Sequence, residues 1–430
     1  MQLSTSDLRY TGLTLEDVLA KDGLASPGDL LFTRYNGNPN LVGACARVPN
    51  KSPAVAYPDK LIRVSISPDK ADSRFLSYAW AWSETQKQVR QHVKTTAGQA
   101  GISGSSLKSI TLPIPPLPEQ HRIVEALEGH LSRLDSAERE LRTARKKVAA
   151  FRKSALLSLV PETVPDSWEM TTVGQAGSVG LGRQRHPDWH HGPEMHPYLR
   201  VANVFEDRID TSDVMEMDFS GIFNKFRLEP GDVLLNEGQS PHLVGRPALY
   251  RGVPPNVAFT NSLLRFQAYS NVLPEWALIV FRRHLHARRF MREVRITTNI
   301  AHLSSKRLKA VEFPIPPIEE QKRLVQECDE LMTNADAMER ALERNSGRAK
   351  QLRKSVLNKA FTGNLVPQDP ADEPASVLLD RIRAEREAQD QAKRGKPKRT
   401  PRPRATAATT AAAPAPTPAP RSAVQQEFQL

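Results

Sequence analysis

The stretch Leu112-Pro113-Ile114-Pro115-Pro116-Leu117-Pro118-Glu119-Gln120 occurs twice in this chain of 430 residues. Its second copy, 201 residues later, is Phe313-Pro314-Ile315-Pro316-Pro317-Ile318-Glu319-Glu320-Gln321. Each copy begins a long segment in which apolar residues return every three or four positions, the pattern of one helix face. The sequence therefore predicts two halves that are related by an internal repeat.

Two long helices are predicted after the two Pro-rich blocks. Their apolar faces correspond at the same shift, one from Leu127 to Ala155 and the other from Cys328 to Val356. Helices of about 40 residues span roughly 60 Å at about 1.5 Å per residue. Because each apolar face needs a partner, we expect the two helices to pair with each other. Asn345 interrupts the second face and, as a buried polar residue, is expected to help set the register of the pair.

The net charge of +12 is unevenly distributed. From Gln391 onward, eight Lys and Arg residues stand against the single acidic residue Glu427, so the tail accounts for +7 and the rest of the chain for +5. The body is therefore only mildly basic, and charge alone does not establish nucleic-acid binding.

Cysteine usage and hydropathy indicate the cellular compartment. Cys45 and Cys328 form neither a disulfide framework nor a metal-binding CxxC pair. The segment Met1–Ala20 lacks the pattern of a secretory signal, and no apolar run is long enough to form a membrane span. We therefore expect a soluble, cytoplasmic protein that does not contact membranes.

The globular regions before the two Pro-rich blocks also repeat each other. In the first region, Leu30–Phe32 and Leu61–Val64 are predicted as strands and Arg74–Val93 as a helix. Pro27-Gly28-Asp29 reappears in the second region as Pro230-Gly231-Asp232, and the helix reappears as Leu273–Val294. Pro-Gly-Asp before an apolar run is typical of a turn that leads into a strand, so a structural role is favoured over a direct functional one.

These patterns divide the chain into five segments. They are a first globular domain at 1–112, a Pro-rich block with a spacer helix at 113–160, a second globular domain at 161–313, a second block and helix at 314–362, and a basic, Ala/Pro-rich disordered tail at 363–430. Within the tail, Ala371–Ala392 has the composition of one further charged helix. The stretch ahead of Pro230 in the second domain is much longer than the stretch ahead of Pro27 in the first, so the first domain is expected to be shortened at its N-terminus or to begin upstream.

The chain lacks the common catalytic and cofactor motifs. The sequence contains no GxxxxGK[ST] phosphate loop, no GxGxxG after a strand and no Asn-Pro-Pro-aromatic motif. Glu320-Gln321-Lys322 matches the tail of a nuclease motif, but it stands where a helix begins, and a helix N-terminus favours glutamate there. We therefore predict no catalytic residue and no cofactor.

Two clusters in the second domain have competing interpretations. His186, His190, His191 and His196 include a spacing of four that suits metal ligands on a helix, but the surrounding prolines and glycines favour a loop, solvated or in contact with DNA, and no metal site is predicted. The arginines from Arg282 to Arg295 lie on the predicted helix and are the best nucleic-acid candidate outside the tail. Their alternative interpretation is a solvated helix face.

The duplicated units resemble a known family. Each globular unit is followed by P-[IL]-P-P-x-x-E-Q and a long helix that ends in Arg-Lys-Ser-[Ala/Val]-Leu, at Arg152–Leu156 and Arg353–Leu357. Over residues 1 to about 367 this is similar to the specificity subunit of Type I restriction-modification enzymes. The resemblance implies a mixed α/β fold with two target-recognition domains that alternate with two long helices, paired as an antiparallel coiled coil. The second domain has the Trp-containing start of the family at Ser167-Trp168-Glu169, whereas the first domain lacks it.

The resemblance also implies function and partners. Such a subunit is not catalytic, and it directs a complex to a bipartite site on double-stranded DNA. Its partners are methyltransferase subunits and an ATP-dependent translocase/nuclease subunit. If the first domain does not function, the alternatives are that the chain works through the second domain alone or that it pairs with a second copy of itself. The rival hypothesis is a non-catalytic coiled-coil scaffold whose globular domains bind protein. A self-contained restriction enzyme is disfavoured by the missing cofactor motifs.

Candidate DNA contacts lie in two places in each domain, after the Pro-Gly-Asp strand and in the polar stretch before the Pro-rich block. Polar side chains there can form bidentate contacts with bases, and Arg or Lys can bind phosphates. In the second domain the predicted residues are Asn236, Glu237, Gln239, Ser240, Arg295, Thr297, Thr298, Asn299 and His302. In the first domain they are Arg34, Tyr35, Asn36, Asn38, Lys94, Thr95 and Thr96.

Overall fold

The computed structural model describes residues 3, 12, 14–20, 23–50, 52, 55–96, 98–297 and 300–394. The first unit contains α1 (Leu15–Ala20), β1 (Leu24–Ala25), β2 (Leu30–Thr33), β3 (Tyr35–Asn36), β4 (Cys45–Arg47), β5 (Val55–Ala56), β6 (Leu61–Val64), α2 (Ser73–Ala81), α3 (Ser83–His92), β7 (Lys94–Thr96), β8 (Gln99–Gly101) and α4 (Gly104–Lys108). The long helix α5 (Leu117–Leu159) follows.

The second unit contains β9 (Glu169–Thr172), α6 (Val173–Ala176), β10 (Gly177–Leu181), β11 (Met195–Leu199), β12 (Val204–Phe205), β13 (Arg208–Ile209), β14 (Met215–Asp218), α7 (Phe223–Phe226), β15 (Val233–Asn236), β16 (Gly238–Gln239), β17 (Pro247–Leu249), β18 (Ala258–Phe259), β19 (Leu263–Ala268), α8 (Pro274–His286), β20 (Arg295–Thr297), β21 (Ile300–His302), α9 (Ser305–Lys309) and β22 (Glu312–Ile315). The second long helix is α10 (Ile318–Phe361), and α11 (Ala375–Arg394) follows it. None of the helices in these described ranges is both long and apolar enough to cross a membrane.

Each unit is built on an antiparallel sheet whose central strand follows the Pro-Gly-Asp turn. The strand β2 lies between β4 and β6, and β15 lies between β17 and β19, which pairs in turn with β10. The turn requires glycine because the φ angles of Gly28 and Gly231 are +87° and +102°. The buried carboxylate of Asp29 accepts a hydrogen bond from Ser26 N at 2.8 Å, and that of Asp232 accepts one from Glu229 N at 3.0 Å. The predicted structural role of this motif is confirmed.

The glutamine of each Pro-rich block connects a long helix to the helix of the adjacent unit. Gln321 is fully buried, and its Nε2 donates to Pro316 O and Asn271 O at 2.8 and 2.9 Å. Its Oε1 accepts from the backbone N–H of Leu273, the residue before α8, at 2.8 Å. Gln120 repeats this arrangement, donating to Pro115 O and accepting from the N–H of Asp72, the residue before α2.

The two long helices are antiparallel, and their ends form part of both hydrophobic cores. The first core takes Ile123 to Leu131 from the start of α5 and Ala360 with Phe361 from the end of α10. The second core takes Ala155 to Val160 from the end of α5 and Leu324 to Met332 from the start of α10. Burying one such leucine contributes about 2 kcal/mol. The two units and the paired helices are therefore a single continuous structure, which confirms the predicted fold class.

Equivalent ion pairs connect the two long helices. Arg152 donates to Asp336 and to Glu339, the latter at 2.8 Å. At the equivalent positions of the repeat, Arg353 contacts Asp135 and lies 3.8 Å from Glu138. Because each arginine comes from the end of its own helix, the two clusters are related by a pseudo-two-fold axis between α5 and α10.

The apolar faces of the long helices are only partly covered, which corrects one expectation. Phe151, Met338 and Leu352 lie on these faces, yet they are 39%, 53% and 54% exposed. Asn345, which was expected to set the register as a buried residue, is exposed as well. The reason is that the three-and-four spacing identifies which face of a helix is apolar but not how much of that face a partner covers.

Two predicted helices end earlier than expected. The segment Arg74–Val93 is divided into α2 and α3 at Trp82, whose backbone is extended so that its Nε1 reaches Asn358 Oδ1 at 3.3 Å. The segment Leu273–Val294 is helical only to His286. Arg288 then adopts a left-handed backbone with φ of 56°, and a short 3-10 helix covers Arg289–Arg292.

The segment 363–430 was expected to be a disordered tail, and its first part is instead folded onto the first unit. Leu378 of α11 is 5% exposed, and Leu365 and Val366 pack against the first core. Arg122 donates to Asp372 at 2.7 Å, and Lys70 donates to Glu385 of α11. The charged helix expected at Ala371–Ala392 is present as α11, but the composition of the tail does not reveal the surface of the first unit that it covers. Residues 395–430 lie outside the described part of the chain.

Candidate nucleic-acid interface

A small three-stranded antiparallel sheet in each unit contains most of the candidate DNA contacts. In the first unit β8 lies between β3 and β7, and in the second unit β21 lies between β16 and β20. Both sheets form in the same way, because the short strand after the central strand pairs with a later hairpin. In the first unit β3 pairs with the hairpin β7–β8 that follows α3, and in the second unit β16 pairs with the hairpin β20–β21 that follows the turn after α8. Segments that are distant in sequence are therefore adjacent, as the repeat suggested but could not establish.

In the first unit, Asn36 and Asn38 organise the loop after β3. Asn36 Oδ1 accepts from Asn38 N at 2.8 Å, and Asn38 Oδ1 accepts from Asn40 N at 3.0 Å, which begins a short 3-10 turn. These bonds fix both side chains and leave their Nδ2 groups without a partner in the described ranges. A donor held in this way on an exposed loop is suited to an acceptor on a base edge or a phosphate.

A cleft of about 360 Å³ adjoins this loop. Tyr35 and Lys94 line it, and Arg34 lies 4.8 Å from the centre of the Tyr35 ring. Thr95 is exposed on the same sheet. Gln99 and His92 also line the cleft, although neither was predicted as a contact. The signal that was available is position, because Gln99 lies in the polar stretch before the first Pro-rich block.

In the second unit, Glu237 and His302 form a pair across the sheet. His302 Nδ1 lies 3.2 Å from Glu237 Oε2, and the side chain of His302 is 44% exposed. Gln239 is partly buried, and its Oε1 accepts from Ser240 N at 3.0 Å, which leaves the Nε2 donor without a partner in the part of the chain described. The predicted residues Glu237, Gln239, Ser240 and His302 are therefore brought together.

In both small sheets an aromatic ring packs against a glycine on the neighbouring strand, but the ring and the glycine are on opposite strands in the two units. In the first, the Tyr35 ring lies against Gly101, where an added Cβ would be 2.6 Å from the ring. In the second, the His302 ring lies against Gly238, where an added Cβ would be 3.1 Å from the ring. Tyr35 and Gly238 hold corresponding positions, as do Gly101 and His302. Each sheet thus presents one ring at the same place, but from opposite strands.

Several predicted contacts are corrected or lie outside the description. Asn236 is fully buried, and neither side-chain amide atom has a hydrogen-bond partner within the described ranges, because it is the last residue of a strand that faces the core. It cannot reach a base in this conformation. Thr298 and Asn299 lie outside the described residues. Arg295, Thr297 and Thr96 have described backbones in β20 and β7, but their side chains are outside the description.

The arginine-rich segment is used largely within the protein. Arg282 is buried, and its Nε donates to Glu206 at 2.9 Å. Burial raises the pKa of Glu206, but the hydrogen bond from His286 and the charge of Arg282 outweigh it and lower the pKa to about 2. Arg289 donates to Glu312 at 2.7 Å and to Glu293 at 2.8 Å. The hypothesis that the whole segment forms a DNA surface is therefore corrected.

The histidine cluster does not form a metal site in the described ranges, where no group of three or more His, Cys, Asp or Glu side chains could hold a metal ion. His186 Nδ1 accepts from Asp188 N at 3.3 Å at the start of a 3-10 turn over Pro187–His190, in agreement with the predicted loop. His196, by contrast, lies in strand β11, where its ring stacks on Phe223 at 3.5 Å. Packing therefore accounts for His196.

The chain is similar to known proteins along most of its length. Residues 31–144 match the family model described as Type I restriction modification DNA specificity domain. The chain is 25% identical over 416 residues to the Type I restriction enzyme EcoKI specificity subunit of Escherichia coli (strain K12), covering 90% of this chain and 86% of that protein. It is 26% identical over 412 residues to the Type I restriction enzyme StySPI specificity subunit of Salmonella potsdam, with the same coverage.

A solved structure shows the same fold. It is described as "Structural basis underlying complex assembly and conformational transition of the type I R-M system", and one of its chains has a TM-score of 0.65 and 20% identity. The match covers 79% of this chain and 83% of that chain. No catalytic family is indicated by any of these matches. The family model and the curated relatives therefore make the chain similar to type I restriction enzyme specificity subunits over most of its length, and the solved structure shares its fold.

Proposed function

We propose that this protein is a non-catalytic reader of DNA sequence that directs a methyltransferase and an ATP-dependent translocating nuclease to a bipartite site. The observation that supports this most directly is the pair of small polar sheets, one in each unit, at opposite ends of the long helices. Helices of 43 and 44 residues span about 65 Å. That length corresponds to roughly two turns of duplex at about 34 Å each. The helices would therefore set the gap between two half-sites.

Base reading is assigned to the side chains that the small sheets present. The Nδ2 groups of Asn36 and Asn38 and the Nε2 group of Gln239 are donors for acceptors on bases. Glu237 is an acceptor for a base amino group, while Lys94 is a cation for a phosphate. A good bidentate contact discriminates between bases by about 1 to 3 kcal/mol, whereas phosphate contacts supply binding that weakens with salt.

Docking of methyltransferase subunits is assigned to the exposed apolar side chains of the long helices. Phe151 and Leu352 hold equivalent positions in the repeat, and Met338 lies on the same helix as Leu352. Large apolar side chains that remain exposed are candidates for protein interfaces. Because the pseudo-two-fold axis relates Phe151 to Leu352, we expect two similar docking surfaces, one for each of two methyltransferase subunits.

The decisive experiment is sequencing of modified adenines in DNA from cells that express this chain together with its methyltransferase. A split, asymmetric motif is the expected result. A split palindrome would indicate that two copies act through one unit each. Absence of modification, with the same methyltransferase active beside another intact specificity subunit, would refute the proposal and favour the protein-binding scaffold.

Substitution of Gln239 tests the reading surface itself. The change Gln239→Ala is expected to relax the motif at one base pair while leaving the folded protein intact. Gln326→Ala is the matched control, because Gln326 lies exposed on α10 and its side chain donates only to Glu330 among the described residues. An unchanged motif in the Gln239 variant would remove this residue from the reading surface.

A further inference from the structure

A basic pocket lies where the end of α5 meets the end of α8. Its volume is about 340 Å³. Five cationic side chains line it: Lys153, Arg283, Arg288, Arg289 and Arg292. The carboxylates of Glu162 and Glu312 also line the pocket, so the cationic side chains outnumber the acidic ones. We call this site the α8 basic pocket. Its excess of positive charge favours an anionic ligand.

Two of the arginines form the walls of the pocket. Arg283 Nε donates to Val160 O at the end of α5 at 3.1 Å, and Arg289 forms the bonds to Glu312 and Glu293 described above. These hydrogen bonds hold the walls in place, and the carboxylates of Glu312 and Glu293 neutralise the charge of Arg289. A pocket whose walls are fixed in this way is preorganised for a ligand.

Three cations remain available. Lys153, Arg288 and Arg292 are exposed, and none forms an ion pair within the described ranges. Arg288 has a left-handed backbone, which costs roughly 1 to 2 kcal/mol for a residue with a Cβ. The turn maintains this conformation through Arg288 N to Leu285 O at 3.0 Å and Met291 N to Arg288 O at 3.2 Å. Backbone strain of this kind is common at functional sites.

The corresponding surface of the first unit keeps only one of these available cations, because Lys354 is the exposed equivalent of Lys153. At the equivalent positions of the repeat, Gln88 replaces Arg289, and its Oε1 accepts from Thr111 N at 3.0 Å in place of the pair with Glu312. Lys87 replaces Arg288, but it is paired with Glu84 at 2.8 Å. Gln91 replaces Arg292. The fold therefore does not require unpaired cations at the positions of Arg288 and Arg292, and only the second unit has them there.

The pocket adjoins the candidate reading sheet. The 3-10 helix that ends at Arg292 is followed by β20, which begins at Arg295, so their Cα atoms lie within about 10 Å of each other. Phosphates on one DNA strand recur about every 3.4 Å along the helix axis. We propose that the α8 basic pocket binds a backbone phosphate of the DNA beside the half-site that the second unit reads. This inference rests on the proposed reading of DNA.

The test measures affinity for a labelled duplex of random sequence against salt concentration, using the full chain. The variant is R288N/R292Q, with asparagine chosen at 288 because it tolerates a left-handed backbone. The control is R208Q/R227Q, which removes the same charge from the same unit, where Arg208 and Arg227 are already paired with Asp210 and Glu229. Circular dichroism checks that both variants fold.

Loss of one phosphate contact lowers the slope of log K against log salt by about 0.9. The wild type should therefore lose about 3.5-fold more affinity than R288N/R292Q between about 50 and 200 mM salt. The control should keep the wild-type slope. An unchanged slope for R288N/R292Q, or an equal decrease in the control, would overturn the inference.

Two further results separate the possible failures. Calorimetric titration with inorganic phosphate tests whether the pocket binds a free anion. If phosphate binds but R288N/R292Q keeps the wild-type salt dependence of DNA binding, the ligand of the pocket is a small phosphate compound and the inference about DNA is refuted. A wild type that ignores duplex DNA at every salt concentration would refute the proposed function itself. A wild type that binds DNA but whose slope does not respond to the variant would refute only the α8 basic pocket.

Discussion

Replacing Gln321 by leucine should destabilise the second unit by about 3 kcal/mol. Gln321 is fully buried and makes three hydrogen bonds to backbone groups, and each such bond contributes about 1 kcal/mol. Leucine has a similar size but leaves the Leu273 N–H without its acceptor. The same change at Gln120, with two bonds to backbone groups, should cost about 2 kcal/mol in the first unit.

Hydrogen exchange with mass spectrometry is the appropriate assay, because it reports an opening free energy for each unit separately. Amides of α8 should lose protection in Gln321→Leu, whereas those of α2 should lose it in Gln120→Leu. Gln326→Leu is the control on α10, where an exposed side chain is expected to change stability by less than about 0.5 kcal/mol. Gln321→Leu within that same limit, or equal losses in both units for either variant, would refute the structural role assigned to these glutamines.

Two other predictions concern the ion-pair network and the C-terminal helix. Glu206→Gln should reduce the free energy of unfolding by up to about 3 kcal/mol at pH 7, because the pKa of about 2 lies below the ordinary 4.5. The carboxylate therefore stabilises the folded protein fully above about pH 4.5 and loses this effect as the pH falls towards 2. Urea unfolding should accordingly show that the difference in free energy of unfolding between variant and wild type decreases over that pH range. A difference that does not change with pH would contradict this. Leu378→Ala should cost about 2 kcal/mol and should raise hydrogen exchange in α11 while leaving the long helices unchanged; exchange equal to wild type in α11 would contradict the docking of this helix.

The repeat made much of the fold predictable. The constant shift between the two Pro-rich blocks identified the long helices, and the family resemblance implied that they pair antiparallel. The central strands were found because the Pro-Gly-Asp turn has a left-handed glycine and a carboxylate that bonds to the turn. These features are local in sequence. The glutamines were visible in the repeated motif, but the partners of Gln321, Asn271 and Leu273, are distant in sequence, so its role required the structure.

The candidate site was less predictable, because the side chain direction alternates along a strand. Asn236 and Gln239 are close in sequence, yet one faces the core and the other borders the small sheet. Exposure on the long helices was misjudged for a related reason, since the pattern shows which face is apolar but not how much of it a partner covers. The docking of α11 depends on a surface of the first unit that composition cannot describe.

A comparison of equivalent residues in the two halves predicts whether the recognised DNA motif is symmetric. Residues that hold the frame are identical across the repeat, as with Gln120 and Gln321 or Arg152 and Arg353. On the small sheets the strand order is kept but the side chains differ: Arg34 is replaced by Glu237, a reversal of charge. Arginine suits the acceptors of guanine or a phosphate, whereas glutamate suits the amino group of cytosine. Because one frame holds opposite charges at equivalent places, the two half-sites should differ in sequence, and an asymmetric motif is expected over an inverted repeat.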